Sequence, residues 1–347
     1  MNLSFSTKGW NGYSFQNFCD IANELGFSGI ELYDIHSPDF SDKYSPANPV
    51  MAAPIRREMM ERKLTITCLD SVGNLADAAA YKQVCASCIH TAANLNIPYV
   101  RVRATQVGSE AEDDAAVIAC LEQLVPVAQR AGIILLVETT GIYTNTAKLR
   151  DILNHFACDW LAALWDLNHP YRISGESPET TIQNLGAYTK HVHIKDSEMI
   201  DGQLEYRLVG EGSLPLSEMI NALRSINYSG FISLEWDPHW KHDIDDMEVI
   251  FSHFVSIMGR FERPARMRDH LYSNKAGTGK FVWKKDILVD KTFSQVLDKM
   301  VEEFPDQLAF KYTTMDYTRT YSQFRDDVDH FARALLALGV KKGDKVA

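Results

Sequence analysis

Leu161-Ala162-Ala163-Leu164-Trp165-Asp166-Leu167-Asn168-His169 is an apolar run that ends on an aspartate. Three more segments share the form: Ile133-Ile134-Leu135-Leu136-Val137-Glu138, His191-Val192-His193-Ile194-Lys195-Asp196 and Phe231-Ile232-Ser233-Leu234-Glu235-Trp236. Short apolar runs with polar ends read as buried strands. Strands covered on both faces take this composition in parallel sheets. A carboxylate or imidazole at the C-terminal end of several such strands is where a barrel enzyme keeps its chemistry.

Working outward from these runs, strands are predicted at 3–6, 29–33, 65–69, 99–102, 133–138, 162–166, 191–194 and 231–235. Helical stretches fall between them at 15–25, 55–62, 78–94, 113–131, 146–155, 178–185, 216–225 and 245–258. Strands that alternate with helices argue for parallel βα units. Eight of them over residues 1–262 predict a closed (β/α)8 TIM barrel. A doubly wound open sheet is the alternative, but it usually carries a glycine-rich turn after its first strand. The stretch Thr7-Lys8-Gly9-Trp10-Asn11-Gly12 does not match that turn.

Beyond the barrel the rhythm breaks. Residues 263–291, with Pro264 and Asn274-Lys275-Ala276-Gly277-Thr278-Gly279-Lys280, read as a linker. Gly277 to Lys280 is not a phosphate loop, because the first glycine of that motif is missing and Phe281 replaces its Ser or Thr. Residues 292–347 are predicted as a small α+β piece. It has an amphipathic helix at 292–304, a hairpin at 308–312 and 318–321, and a second helix at 323–338 capped by Ser322. The stripe of Phe293, Val296, Leu297 and Met300 is expected to pair with that of Phe324, Phe331 and Leu335. Lys345-Val346-Ala347 looks like the start of a further strand, so the chain is expected to be part of a longer protein.

The net charge of −11 makes a nucleic-acid backbone a poor partner. No apolar run is long enough to span a bilayer. Met1-Asn2-Leu3-Ser4-Phe5-Ser6 lacks the basic region and apolar stretch of a signal peptide, so a cytoplasmic location is the expectation. The six cysteines are scattered and expected to be reduced. Cys85 and Cys88 form C-x-x-C in an alanine-rich helical stretch, with no second such pair, and read as structural.

Glu138, Asp166, His193 and Glu235 end the fifth to eighth strands. Adjacent strands lie about 4.8 Å apart, so their ends can share one ion. Three carboxylates and an imidazole would repel one another without a cation, and a divalent metal is the simplest remedy. The oxygen-rich set with one nitrogen favours Mg²⁺ or Mn²⁺, with Co²⁺ and Zn²⁺ also compatible. Glu31, Asp34 and His36 follow the second strand, and His36 is expected to reach the pocket as a substrate-binding residue. His191 reads first as a satisfied core histidine. His239 and His242 read as surface loop residues, and Trp10, Trp165 and Trp236 as core packing.

The set Asp166-Leu167-Asn168-His169, His191-Val192-His193-Ile194-Lys195-Asp196, Val209-Gly210-Glu211-Gly212 and Leu234-Glu235-Trp236 resembles the sugar phosphate isomerase/epimerase family of xylose-isomerase-like TIM barrels. The resemblance covers residues 1–262. It implies one divalent metal ion held by Glu138, Asp166, His193 and Glu235, with Glu138 and Glu235 as the catalytic pair. It also implies a small-molecule substrate held by His169, Lys195 and Arg207. The family's substrates include keto-sugars, hydroxypyruvate, inososes and dehydroshikimate. Enolisation leads to isomerisation or epimerisation, or to dehydration in the lyase branch. A non-catalytic scaffold barrel is the reading from another class. DNA-repair endonucleases of the same superfamily are a weaker alternative, since they need histidines where the third and fourth strands here end in Asp70 and Arg103.

A second resemblance lies in Thr292-Phe293-Ser294, Phe304-Pro305-Asp306-Gln307-Leu308-Ala309, Thr320-Tyr321-Ser322-Gln323-Phe324 and Leu338 to Ala347. These are similar to the opening of AMP-forming acyl-CoA synthetases. The later adenylation motifs are absent from the sequence, so no ATP chemistry is implied for it. The remainder of a synthetase domain is the implied partner.

Overall fold

The eight runs form strands, and the strands close on one another. A computed structural model describes residues 1–40, 43–105, 114–240, 246–262, 291–312, 317–341 and 343–344. The order is β1 (Asn2–Ser6), α1 (Phe15–Leu25), β2 (Gly29–Tyr33), α2 (Ala52–Arg62), β3 (Thr65–Asp70), α3 (Ala78–Leu95), β4 (Tyr99–Val102), α4 (Asp114–Ala131), β5 (Ile134–Glu138) and α5 (Thr146–Phe156). There follow β6 (Leu161–Asp166), α6 (His169–Ile173), α7 (Pro178–Leu185), β7 (Thr189–Ile194), β8 (Asp196–Ile200), β9 (Gln203–Arg207), α8 (Leu216–Ser225), β10 (Phe231–Leu234) and α9 (Met247–Glu262). The closed barrel runs β1-β10-β7-β6-β5-β4-β3-β2. All of its neighbours are parallel. This is the TIM barrel expected, not an open sheet.

Local signals set the element ends. Ser14 caps α1 through a capping box with Asn17, and Gly26 ends it in the left-handed region at φ 79°. Asn145 caps α5 by accepting from the backbone N–H of Ala147 and Lys148. The main core lies between strands and helices. Phe251 of α9 packs on Phe5 with ring centroids 4.4 Å apart and on Phe27 at 5.6 Å, tying the last helix to the first strand. Trp10, Trp165 and Trp236 are buried in that core, as expected. A smaller cluster of Cys68, Leu136, Ala162 and Leu164 sits apart from it on β3, β5 and β6.

One feature departs from the expected repeat. After β7 the chain makes an antiparallel hairpin, β8 on β9, before α8. Asp196 pins the following loop, accepting from the backbone N–H of Gly210, Gly212 and Leu214. A Cβ on Gly212 would run into that carboxylate, so the site of the turn requires glycine.

The chain divides into two compact units, Met1–Glu262 and Arg263–Ala347. In the second, α10 (Phe293–Glu303) is followed by the antiparallel pair β11 (Leu308–Tyr312) and β12 (Tyr317–Thr320) and then α11 (Tyr321–Ala337). Phe310 and Phe324 meet edge to face at 5.1 Å. Thr320 caps α11, in place of the expected Ser322, because its side chain accepts from Gln323 N–H and Gln323 answers with its own oxygen. Arg325 of α11 reaches Asp298 of α10 at 3.0 Å. Met300 is buried, but Phe293 is 97% exposed and Phe331 65%, so only part of the expected stripe pairing forms. Apart from Lys291, the predicted linker lies outside the described residues, as do the Gly277–Lys280 stretch, Lys345 to Ala347, and His242. No described helix is long and apolar enough to cross a membrane.

Candidate active site

Glu138 and Asp166 are the last residues of β5 and β6, His193 is the penultimate residue of β7, and Glu235 follows β10 directly. Registers such as Asp166 beside His193 bring the ends level. All four side chains are buried, and one ligand atom from each lies within 4.8 Å of the others. The expected quartet therefore converges at one mouth.

The protein supplies its own cations there. Arg101, in the middle of β4, donates from Nη2 to Glu138 Oε2 at 2.6 Å and from Nη1 to Asp70 Oδ2 at 2.6 Å, and lies 3.5 Å from Glu235 Oε1. Lys195 Nζ donates to Asp166 Oδ2 at 2.5 Å and to Glu235 Oε2. Lys8 Nζ reaches Glu235 Oε1 at 3.0 Å. Repulsion among carboxylates is thus not by itself a reason for a metal ion, and that step of the sequence argument falls.

The atoms left over still fit one. Arg101 holds only Oε2 of Glu138; Oε1 makes no hydrogen bond. His193 Nδ1 also makes none, and lies 3.5 Å from that Oε1. The two form an ion pair while His193 carries its second proton; once that proton leaves, they are a buried oxygen and nitrogen that a cation between them would satisfy. An O,N donor set with further carboxylates at hand suits a divalent cation.

Electrostatics follow from burial and these contacts. Burial alone would raise the Glu138 carboxyl, but the Arg101 guanidinium outweighs it and holds the group well below the usual range. Glu235 is likewise held low against burial, by Lys195, Lys8 and Arg101 in that order. Burial would lower His193; the Glu31 carboxylate and contact with Glu138 overcome it and lift the imidazole to about 10. Lys195 stays cationic, since Asp166 and Glu235 outweigh its burial. Burial pushes His169 down, so it is a neutral imidazole at neutral pH.

The remaining expected residues divide. His169 opens α6, buried, with Nδ1 3.7 Å from Asp166 Oδ1. Its backbone N–H and that of Asn168 donate to Asp166 Oδ1 at 3.1 and 2.9 Å, which aims the carboxylate. Lys195 lies inside the cluster. Arg207 does not face the mouth. Its guanidinium binds Glu198 and, at 2.7 Å, Glu205, on the hairpin. Successive strand residues point to opposite faces, and it is Tyr206 that stacks on Trp240 at 3.9 Å. The Trp240 ring has Lys8 5.5 Å and Lys195 5.8 Å from its centroid, so Tyr206 and Trp240 stand beside the site. His36 is exposed in the loop beyond β2 and is not in the cluster. His239 is exposed and pairs with Asp237. Cys85 and Cys88 are buried free thiols in α3. His191 is buried and hydrogen-bonded to Glu31 at 2.8 Å.

Sequence reasoning missed Arg101, Lys8, Tyr206 and Trp240, and left Glu31 and Asp70 without a role. Arg101 had a signal: a charged residue alternating with valines in a buried strand, Val100-Arg101-Val102.

The fold and mouth define a (β/α)8 barrel with an acid–imidazole cluster at the strand C-termini. The Xylose isomerase-like TIM barrel family matches residues 19–251, and the chain belongs to it. Residues 297–347 match the AMP-binding enzyme family. Solved structures with the same fold include an L-ribulose 3-epimerase (16% identity, TM-score 0.62, covering 79% of this chain and 99% of that one). The probable 3-DHS dehydratase AsbF of Bacillus anthracis is similar at 19% identity and TM-score 0.61, over 75% of this chain and 99% of that one. The IOLI protein, solved with a bound zinc atom, gives 16% and 0.62 over 74% and 97%. No curated protein matches the chain.

Proposed function

We propose that the barrel is a divalent-metal-dependent isomerase, epimerase or dehydratase that removes a proton beside the carbonyl of a small polyhydroxylated compound. The observation that carries this is the convergence of Glu138, Asp166, His193 and Glu235, with Glu138 Oε1 and His193 Nδ1 buried, 3.5 Å apart and without hydrogen bonds. Structural relatives described as epimerases, a probable dehydratase and a zinc-binding protein support the reading.

A divalent ion held by these four residues supplies Lewis acidity to a carbonyl oxygen. The chain does the rest. Glu138 and Glu235 are the pair that removes and returns the proton; both are ionised, and their low proton affinity makes them weak bases that depend on the substrate proton being acidified. Arg101 locks Glu138 through one oxygen and leaves the other without a hydrogen bond. The Lys195 ammonium, between Asp166 and Glu235, donates to substrate oxygen, and the neutral His169 imidazole orients a hydroxyl. Burial of all these groups keeps competing water out. Beyond the barrel, we read residues 292–347 as the opening of a synthetase domain whose remainder is its partner.

The test is metal content and turnover together. Purified full chain should hold one divalent ion, and turnover of keto-sugars, hydroxypyruvate, inososes or dehydroshikimate should vanish on chelation and return with Mn²⁺. Turnover that survives complete metal removal would refute the proposal.

A further inference from the structure

Glu31 of β2 is fully buried and is not one of the four converging residues, yet it touches one of them. Its Oε2 accepts from His191 Nε2 at 2.8 Å. It meets His193 Nε2 at 2.9 Å through Oε1 and 2.8 Å through Oε2. An ionised carboxylate only accepts hydrogen bonds, so both imidazoles must present N–H at Nε2. An imidazole committed to Nε2–H has only Nδ1 left as a lone-pair donor. In His193 that atom is the unpartnered one facing Glu138 Oε1.

We propose that Glu31 is a positioning residue for the ion: it fixes the protonated nitrogen and the ring orientation of His193 so that Nδ1 faces the site, and His191 holds Glu31 in place. This rests on the metal-dependent reading above. A carboxylate behind a ligating histidine raises the ligand's basicity and removes its rotational freedom. The dependence runs across the barrel, because β2 and β7 are not neighbours in the strand order. Glu31, His191 and His193 also lie close enough to hold an ion themselves. That competing arrangement would take His193 through Nε2, and ion stoichiometry separates it from the proposal.

The experiment titrates Mn²⁺ into metal-free full chain and reads affinity and stoichiometry, with the melting curve as the check on folding. Wild type should bind one ion. E31Q should bind it about 10- to 100-fold more weakly, since the amide is uncharged and sets an NH₂ donor against the His193 Nε2–H that Glu31 Oε1 meets at 2.9 Å. E31D keeps two accepting oxygens and should bind more tightly than E31Q, although it leaves more empty space. A packing role would give the opposite order. H191N should weaken binding in the same direction and stands in if E31Q does not fold. Equal affinity in E31Q, E31D and H191N would overturn the proposal, as would tighter binding by E31Q than E31D. So would two ions in wild type with one lost in E31Q. Wild type that binds no ion would instead sink the functional reading on which the proposal rests.

Discussion

Metal binding should release about one proton per ion at neutral pH, and the proton should come from His193. The structure sets the magnitude. Without an ion, His193 lies between Glu31 and Glu138 and is lifted to about 10, so at pH 7 its imidazole is a cation. A cation cannot ligate, so the ion competes with that proton. The gap between pH 7 and about 10 weakens binding by roughly a thousandfold relative to a neutral imidazole, at one decade per unit. Apparent affinity should climb about tenfold per pH unit from 7 towards 10 and then level off. Glu138 and Glu235 are already ionised and contribute no proton. The sign for stability is opposite. A raised folded-state value contributes stability that is complete below the unfolded value of 6.5 and is lost as pH rises through about 10. The metal-free barrel should therefore weaken over that window, while the loaded barrel, whose His193 has already given up its proton, should stay nearly level. Calorimetric titration of Mn²⁺ in two buffers of different ionisation enthalpy reads the proton count directly. K195M should leave the count near one, and H193N should remove it. No proton release by wild type would show that His193 is neutral or is not a ligand.

Further outcomes test other links. E138Q and E235Q should each lower turnover by roughly 10²- to 10⁴-fold, the worth of a positioned general base, in steady-state assays, while H169A should chiefly raise KM; full turnover in both Gln variants would remove that pair from the mechanism. Gly29→Ala should cost about 1–3 kcal/mol by overpacking, because a Cβ there would press on the Thr67 side chain and lie 2.7 Å from Phe231 Cε1; an unchanged melting temperature would contradict the register of β2. Only Cys158 is partly exposed, and burial pushes the Cys19 and Cys85 thiols up to about 12. One thiol should therefore react quickly with a disulfide reagent in native protein and six in denaturant; rapid reaction of several would mean the helical layer opens.

The barrel was legible because a parallel strand covered on both faces must be apolar nearly throughout, and eight such runs are hard to mistake. Glu138, Asp166 and Glu235 were legible because they end those runs. Lys195 was named too, but Lys8 was not, because Lys8 and Glu235 lie at opposite ends of the barrel sequence and meet only when β1 pairs with β10. Carboxylate repulsion was overstated for that reason: the Lys8 and Arg101 charges come from the segment after β1 and from β4, and Lys195, in the β7 segment itself, was not counted against the carboxylates. The hairpin after β7 was missed because Asp196-Ser197-Glu198-Met199-Ile200 carries almost no apolar pattern. Arg207 was assigned to the mouth and Tyr206 overlooked because one residue of strand register exchanges the two faces, and only the pairing of Asp196 with Arg207 and Ser197 with Tyr206 decides which is which. His36 was placed in the pocket by proximity along the chain, but Asp34 turns through a left-handed conformation at φ 43° and the loop carries the imidazole to the surface.

Solvent exchange of the proton beside a substrate carbonyl tests the central claim most directly where the product is an isomer or an epimer, because the proton removed is replaced from solvent; for dehydration, where that carbon takes no proton back, the primary isotope effect of substrate deuterated at that carbon reports the same removal. Full chain loaded with Mn²⁺ is incubated in D₂O with each member of the panel of keto-sugars, hydroxypyruvate, inososes and dehydroshikimate, and deuterium at the carbon next to the carbonyl is read by mass spectrometry in substrate and product. With at least one member, enzyme-dependent deuterium incorporation, or dehydration with a primary isotope effect, is expected, lost on chelation and lost in both E138Q and E235Q. Isomerisation or epimerisation of any member with no deuterium in substrate or product, dehydration with no primary isotope effect, or incorporation that persists in the metal-free protein or in both Gln variants, would contradict the account.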